Sequence, residues 1–186
     1  MAILPWKILD VKTVFNNRFW NIVQETVELP DGSVYTDFFV NDKAGGAQVF
    51  AMTPEGKIIM NRQYKHGVRE VVTEHTIGGL GEGEDPLVAA QRELMEETGY
   101  GGGEWESLGA HAPNPTGSRS LFHAYIARDV QRLSEPVDDP REVIETFLVE
   151  PKELLEMIAR GEIRSLASVS LAFLALTRLG LLELKS

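Results

Sequence analysis

Three glutamates on one predicted helix are the residues of this sequence best suited to chemistry. Glu93, Glu96 and Glu97 occupy positions i, i+3 and i+4, and at about 100° per helical residue they share one face. Three carboxylates so close together repel one another and would destabilise an isolated helix. Hard oxygen ligands of this kind suit Mg²⁺ or Mn²⁺. The spacing therefore predicts a site for divalent cations on this face.

The helix that carries the glutamates is predicted over residues 86–98. Asp85 is a favourable N-cap, the proline after it suits the first helical position, and Gly99 ends the helix. Ala89 and Ala90 lie within or beside the arc of the glutamates. We expect these small side chains to leave room for a ligand close to the helix backbone.

Composition limits the kinds of partner. The chain has 18 Lys and Arg against 28 Asp and Glu, a formal net charge of −10. Such a surface repels phosphate backbones, which argues against nucleic-acid and anionic-membrane partners. An acidic protein that acts on phosphates would need metal ions to neutralise them. Without cysteine the chain has no thiol nucleophile or disulfide, and the apolar segment 166–182 is too interrupted to span a bilayer, so a cytoplasmic protein is expected.

The order of the predicted elements indicates a mixed α/β (α+β) fold class rather than a regular βαβ alternation. With roughly 150 residues per domain, 186 residues make one domain and a little more. We expect a small N-terminal β-sheet in residues 1–43 and a larger domain in residues 44–186. The predicted elements are strands within 8–41, a hairpin of 48–52 with 57–63, strands at 120–127 and 146–149, and helices at 151–160 and 166–179.

A longer pattern surrounds the glutamates. Gly78, Glu84, Arg92-Glu93-Leu94, Glu96-Glu97 and Gly99-Tyr100 form GX5EX7REUXEEXGU, where U is a bulky apolar residue. Its seven fixed positions would match by chance on the order of once in a million. The pattern resembles the box of Nudix hydrolases. The resemblance implies an α/β/α sandwich with a small N-terminal antiparallel sheet, and metal-assisted attack of water on a nucleoside diphosphate linked to another moiety.

Flanking segments resemble the ADP-ribose and nucleotide-sugar pyrophosphatases of that family. They are the segment 61–67, the turn 29–32 in the N-terminal sheet, and Pro115 beyond the box. The resemblance implies cleavage of ADP-ribose or a related nucleotide sugar to a nucleoside monophosphate and a sugar phosphate. Two segments depart from the subgroup. Residues 75–79 replace its Pro-Ala-Gly-Gly, and the loop 114–119 lacks a carboxylate, which leaves the sugar and base open.

The resemblance also assigns roles around the metal. Glu93 and Glu97 are the expected metal ligands, Glu96 is the next, and the backbone carbonyl of Ile77 is a further ligand. Arg92 is expected to orient a box carboxylate rather than to touch the substrate. The cation would be Mg²⁺ or Mn²⁺.

The expected substrate contacts lie outside the box. Lys65 and Arg62 are candidate phosphate contacts and Arg119 is a weaker one, while Pro115 marks the loop that lines the substrate. Trp20 could stack on a base from the N-terminal sheet, although aromatic residues there also suit packing or a dimer interface.

The acidic loop 133–145 is the expected source of a general base. In similar enzymes a glutamate from this loop reaches into the site, either as base or as a further metal ligand. Glu142 is the first choice because it falls just before the predicted strand, and Asp139 is the second.

Two other functions and one assembly state are also considered. A Nudix-fold sensor would bind a nucleotide metabolite without turnover, but such modules usually lose a box carboxylate. An enzyme for nucleoside triphosphates would usually lack residues 1–43. A homodimer is expected, since the strands within 8–41 are too few to be stable alone and in the resembling subgroup this sheet crosses to the partner subunit.

Overall fold

The polypeptide forms two units, each with its own internal contacts. The structure, a computed structural model, describes residues 3–137 and 140–182. Residues 3–45 and 112–121 belong to the first unit, and the other described residues belong to the second. The first unit thus takes in a loop from the middle of the chain as well as the N-terminal strands.

The first unit is an antiparallel sheet with the order β1-β2-β3. Its strands are β1 (Lys7–Asn16), β2 (Asn21–Glu28) and β3 (Val34–Asn41). The predicted turn between β2 and β3 is present: Gly32 has a φ of 84°, and the Asp31 carboxylate accepts the Ser33 backbone N–H at 2.9 Å. On β2, Val23 and Val27 are buried on one face, as period-2 alternation requires.

The second unit contains two larger sheets, one short strand pair and three helices. Its elements are β4 (Gly46–Ala51), β5 (Ile58–Lys65), β6 (Glu70–Glu74), β7 (Thr76–Gly79), α1 (Pro86–Thr98), β8 (Tyr100–Gly101), β9 (Glu104–His111), β10 (Phe122–Arg128), β11 (Gln131–Arg132), β12 (Ile144–Val149), α2 (Pro151–Ala159) and α3 (Leu166–Arg178). The sheets have the orders β7-β4-β10-β9 and β12-β5-β6, and β11 pairs with β8. Among the strands described for this unit, β4 and β10 pair in parallel and the other pairs are antiparallel.

Alternation along the strands buries both faces of the sheets. Phe50 and Ile126 pack in a cluster with residues of α2 and α3, whereas Val49 and Tyr125, their neighbours on the same strands, pack in a second cluster with residues of α1. Helices therefore cover opposite faces, which confirms the expected mixed α/β sandwich. The predicted C-terminal helix is present and contributes the fully buried Leu171. No helix among the described residues is long and apolar enough to cross a membrane.

The predicted hairpin of 48–52 with 57–63 is wrong in its pairing. The turn forms, with Gly56 N–H donating to the Thr53 carbonyl at 2.9 Å. The strands on either side then separate into different sheets, and only a single bridge joins Met52 to Ile58. Both edges of β4 are taken by β7 and β10, and both edges of β5 by β12 and β6. Pairing between distant segments thus replaces the local pairing.

The expectation of open space beside Ala89 and Ala90 is also wrong. Both residues are fully buried, in the cluster that contains Val49 and Ala127. Their small side chains let α1 pack closely on the strands. The small side chains of these alanines therefore contribute to packing of the core and do not line an open space for a ligand.

His75, between β6 and β7, is a fully buried ionisable residue. Its ring lies 5.2 Å from the Phe50 ring, and neither ring nitrogen has a hydrogen-bond partner among the described residues. Its backbone N–H donates to the Ser168 hydroxyl at 3.0 Å. Burial lowers the pKa of His75 from 6.5 to about 3, because the charged imidazolium would lose its hydration.

This burial makes the fold sensitive to acid. The unfolded chain binds a proton at His75 near pH 6.5, whereas the folded chain does so only near pH 3, so the free energy of unfolding falls as pH falls between these values. Below pH 6 the free energy of unfolding falls by on the order of 1 kcal/mol per pH unit. We expect urea unfolding at pH 7 and pH 4.5 to show a smaller decrease in the free energy of unfolding for His75→Phe than for the wild type. Equal decreases in the two proteins would show that His75 is not the source of the acid sensitivity.

Candidate active site

Two caps hold the glutamate-bearing helix α1 in place. The Asp85 carboxylate accepts the backbone N–H groups of Leu87 and Val88 at 2.9 and 3.2 Å. At the other end Gly99 has a φ of 74° and its N–H donates to the Met95 carbonyl. Both caps agree with the sequence prediction, and the helix has the predicted bounds. Its three glutamates therefore share one face.

Arg92 is the centre of an ion-pair network around these carboxylates. Its Nε and Nη2 donate to the two oxygens of Glu84 at 2.9 and 3.0 Å. Its Nη1 donates to Glu93 at 2.8 Å and to Glu96 at 3.1 Å, and Nη2 also donates to the Gly79 carbonyl. The guanidinium thus fixes three box carboxylates at once and uses its fork geometry to do so.

Glu84 serves as the anchor for that arginine. Hydrogen bonds from Arg92, followed by the Gly81 backbone N–H at 2.8 Å, lower the pKa of Glu84 to about 2. The hydrogen bond with Glu84, followed by those with Glu93 and Glu96, raises the pKa of Arg92 above its ordinary value. Both groups remain charged over the physiological range, so the Arg92–Glu84 ion pair does not depend on ordinary changes of pH.

Gly78 explains why the box begins with glycine. It lies in β7 opposite Ala47 of β4, and a Cβ at Gly78 would overlap the carboxyl group of Glu93. Any other residue would push the Glu93 side chain away from the strand. The absent side chain therefore lets a carboxylate lie directly against the β7 backbone, next to Ile77.

Glu97 has a different set of partners. The amide Nδ2 of Asn61, on β5, donates to Glu97 Oε2 at 2.8 Å and lies 3.3 Å from the Thr76 hydroxyl. Thr146 of β12 donates to Asn61 Oδ1 at 3.0 Å. Sequence reasoning gave no role to Asn61 or Thr146, because only the strand pairing brings them to the helix.

The electrostatics of Glu93 and Glu97 oppose full ionisation. Burial, followed by the charge of Glu93, raises the pKa of Glu97 to about 8, although the charge of Lys65 acts in the opposite direction. Burial is also the largest cause that raises the pKa of Glu93, despite the contact with Arg92. With both groups ionised, these neighbouring carboxylates would carry more negative charge than the protein around them compensates.

This donor set fits a small divalent cation. Among residues 3–137 and 140–182, no three Asp, Glu, His or Cys side chains form a closed metal cage. Mg²⁺ rarely uses such a cage; it keeps several waters and binds one or two carboxylates together with substrate phosphates. Glu93 and Glu97 offer that number of ligands, and their raised pKa values mark charge that a cation would neutralise.

The second unit also contains the two predicted phosphate contacts Lys65 and Arg62. Lys65 pairs with Glu74 at 2.6 Å. Arg62 pairs with Glu145 at 2.9 Å and lies 4.8 Å from the centre of the Phe147 ring.

Two predicted residues belong to the acidic loop. Glu142 is exposed, and its charge is one of the causes that raise the pKa of Glu93, so it lies within electrostatic range of the box. Asp139 lies outside the described residues.

Three predicted substrate contacts belong to the first unit. Arg119 pairs with the buried Glu25 and, at 3.0 Å, with Asp42, so carboxylates of its own unit already engage its guanidinium. Trp20 is exposed, and its backbone N–H donates to Asn17 Oδ1 at 2.7 Å. Pro115 is exposed in the loop 112–121. These contacts do not test the expected substrate roles of the three residues, which stay predictions.

Comparison with protein families assigns both parts of the chain. Residues 42–169 match the family model described as "NUDIX domain". Residues 6–41 match the "Nucleoside diphosphate sugar hydrolase N-terminal domain". The two matches follow one another along the sequence. The match to the NUDIX domain covers more than half of the chain. Nudix hydrolases as a class need a divalent metal, in agreement with the carboxylates on α1.

Relatives and a solved structure agree with the family models. An ADP-ribose pyrophosphatase of Bacillus subtilis is 30% identical over 164 residues, 88% of each chain. A GDP-mannose pyrophosphatase of Escherichia coli is 32% identical over 133 residues, 67% of this chain and 70% of the relative. The structure titled "Crystal structure of ADP compounds hydrolase" has the same fold, with a TM-score of 0.84, 21% identity and 97% of each chain covered. The chain therefore belongs to the Nudix hydrolases, with an N-terminal domain of the nucleoside diphosphate sugar hydrolase type.

Proposed function

We propose that this chain cleaves the diphosphate of ADP-ribose or a related nucleotide sugar to a nucleoside monophosphate and a sugar phosphate. The observation that carries the proposal is the pair Glu93 and Glu97, crowded on one face of α1 with raised pKa values. The substrate class is supported by the N-terminal domain type and by the printed activities of the relatives.

The box residues provide the metal site in this proposal. Glu93 and Glu97, the backbone carbonyl of Ile77 and, as a further ligand, Glu96 would hold Mg²⁺ or Mn²⁺. When bound, the cation neutralises the diphosphate, polarises the attacked phosphoryl group and lowers the pKa of the attacking water. Arg92 keeps Glu93 and Glu96 in place through its hydrogen bonds and does not need to touch the substrate.

The positive side chains outside the box are the proposed phosphate contacts. Lys65 acts on the electrostatics of Glu97, which supports its place beside a metal-bound diphosphate. Arg62 is held by Glu145 and the Phe147 ring, so a phosphate would compete with one carboxylate. The resemblance to the nucleotide-sugar pyrophosphatases alone supports the proposed substrate roles of Arg119, Pro115 and Trp20.

Glu142 is the proposed general base. A base outside the metal ligands is useful, because carboxylates bound to a metal accept protons poorly. The support is its electrostatic effect on Glu93 together with its exposure just before β12. Asp139 remains the second choice.

The assembly and location proposed here are a homodimer in the cytoplasm, with residues 1–43 as the dimerisation sheet and 44–186 as the catalytic domain. β1 exposes Ile8, Val11 and Phe15, each about half accessible, and an apolar strand of this kind favours burial by a partner. The absence of cysteine agrees with a reducing compartment. Light scattering with a mass near the 20.7 kDa of one chain would argue against the dimer.

A substrate panel with Mg²⁺ tests the proposed reaction. We expect release of a nucleoside monophosphate from ADP-ribose or another nucleotide sugar, such as GDP-mannose, and much slower turnover of nucleoside triphosphates. A strong preference for a triphosphate would favour the triphosphate enzyme. Tight binding of nucleotide sugars without turnover would favour the sensor, which the complete set of box carboxylates argues against.

Glu97→Gln tests the metal role. The substitution removes a charged ligand at nearly constant volume, so kcat should fall at least ~10²-fold, and chelators should abolish wild-type turnover. Glu156→Gln is the matched control, because it makes the same change on an exposed face of α2. If Glu97→Gln keeps wild-type activity with the fold intact, the metal assignment is wrong.

Glu142→Gln tests the general base. At saturating Mg²⁺ and substrate, kcat should fall by about 10²–10⁴-fold with little change in substrate affinity. Glu135→Gln is the control on the same loop; Glu135 pairs with Arg132 at 2.6 Å, and its loss should leave kcat unchanged. Near-normal kcat for both Glu142→Gln and Asp139→Asn would show that water is activated without this loop.

A further inference from the structure

A buried polar chain connects β12 to the metal-binding face of α1. Its central residue is Asn61, which is 3% exposed. Thr146 donates to the Asn61 amide oxygen at 3.0 Å, and the amide nitrogen donates to Glu97 Oε2 at 2.8 Å. The chain therefore runs from a strand hydroxyl to one oxygen of a proposed metal ligand.

We propose that Asn61, oriented by Thr146, is a positioning residue for Glu97 in cation binding. This inference rests on the proposed role of Glu97 as a metal ligand. Asn61 does not touch the substrate or the cation in this proposal. It acts through the carboxylate that it holds.

The strand register determines where the amide lies. Asn61 and Thr146 are direct partners across the β5–β12 ladder, so their side chains project on the same face as close neighbours. On the other side, Asn61 pairs with Glu74 of β6. Because β5 is the middle strand of its sheet, the ladders on both sides hold the backbone of Asn61 at a fixed distance from α1.

The two hydrogen bonds also determine the orientation of the amide. The amide nitrogen faces Glu97 Oε2. Once Glu97 is ionised, as a metal ligand must be, its carboxylate accepts hydrogen bonds and cannot donate them, so the nitrogen must stay on that side. The amide oxygen then faces the Thr146 hydroxyl, which donates to it. A flipped amide would place its oxygen against a carboxylate oxygen, and this repulsion makes one orientation strongly preferred.

An amide suits this position better than the alternatives. An arginine or lysine here would neutralise Glu97 and compete with a cation. An aliphatic residue would remove the amide donor from Glu97 and leave only the hydrogen bond with the Thr76 side chain, in a site where burial already raises the pKa of Glu97. Asn61 supplies a donor without charge, and the carboxylate retains acceptor capacity for a metal on its other oxygen.

Asn61→Leu, which keeps similar side-chain length without polar atoms, is the main test. We expect calorimetric titration with Mn²⁺ alone to show about 10–100-fold weaker binding than in the wild type, the usual range for loss of a residue that orients a metal ligand. The Mg²⁺ concentration for half-maximal activity should rise by a similar factor. Thr146→Val should weaken Mn²⁺ binding in the same direction, and Thr146→Ser, which keeps the hydroxyl, should restore it.

Three controls separate positioning from a loss of stability. Met157→Ala removes a buried side chain in the cluster with α2 and α3, so it should lower Tm and leave Mn²⁺ affinity unchanged. In the Asn61→Leu background, Thr146→Val should have no further effect on Mn²⁺ affinity, since the two act in one chain. Glu97→Gln serves as the reference for loss of the ligand itself.

The outcomes distinguish this inference from the proposed function. If Glu97→Gln abolishes Mn²⁺ binding and a folded Asn61→Leu binds Mn²⁺ like the wild type, the positioning role is overturned and the metal site stands. If Glu97→Gln binds Mn²⁺ normally, the metal site itself is wrong. If Mn²⁺ binding is weakened equally in Asn61→Leu and Met157→Ala, the weaker binding results from general destabilisation of the fold. That outcome would also overturn the positioning role.

Discussion

Two glutamates that lie one helical turn apart, and that burial keeps from ionising freely, make the strongest demand on this structure. Glu93 and Glu97 project from the same face of α1 into surroundings that hydrate them poorly, and the charge of Glu93 raises the pKa of Glu97. An isolated helix would relieve this repulsion by turning the side chains towards water. Here Gly78 leaves space for one carboxyl group and Asn61 holds the other. A divalent cation would neutralise the negative charge of the two carboxylates. This is the physical reason for metal dependence.

The fold provides the rigidity that this crowding requires. The buried alanines of α1 let the helix lie close to the strands, so the glutamates on the neighbouring face meet β7 and β5 at short range. Caps at both ends of α1 set where the helix starts and stops, and Arg92 joins its carboxylates to Glu84 before the helix begins. Placement on regular elements keeps metal ligands more accurately positioned than placement on loops.

Much of the helix and its chemistry could be predicted from the sequence, because caps, periodicity and the box are local patterns. The bounds of α1, the cap at Asp85 and the shared face of the glutamates needed only short-range spacing. The pairing of β4 and β5 with distant strands could not be predicted, since the turn between them is equally compatible with a hairpin. Asn61 and Thr146 lie 85 residues apart in sequence, and no spacing rule connects them. The burial of Ala89 and Ala90 was missed for a related reason, since small residues serve close packing as well as ligand access.

Proton release on metal binding tests most directly whether Glu97 holds the cation. With a pKa of about 8, metal-free Glu97 is mostly protonated at pH 7, and a metal ligand must be ionised. Titration of Mg²⁺ or Mn²⁺ in buffers of different ionisation enthalpy should therefore show release of about one proton per site at pH 7. The release should decline towards pH 9 and be absent in Glu97→Gln. Metal binding with the same affinity and the same proton release in Glu97→Gln would contradict this role for Glu97.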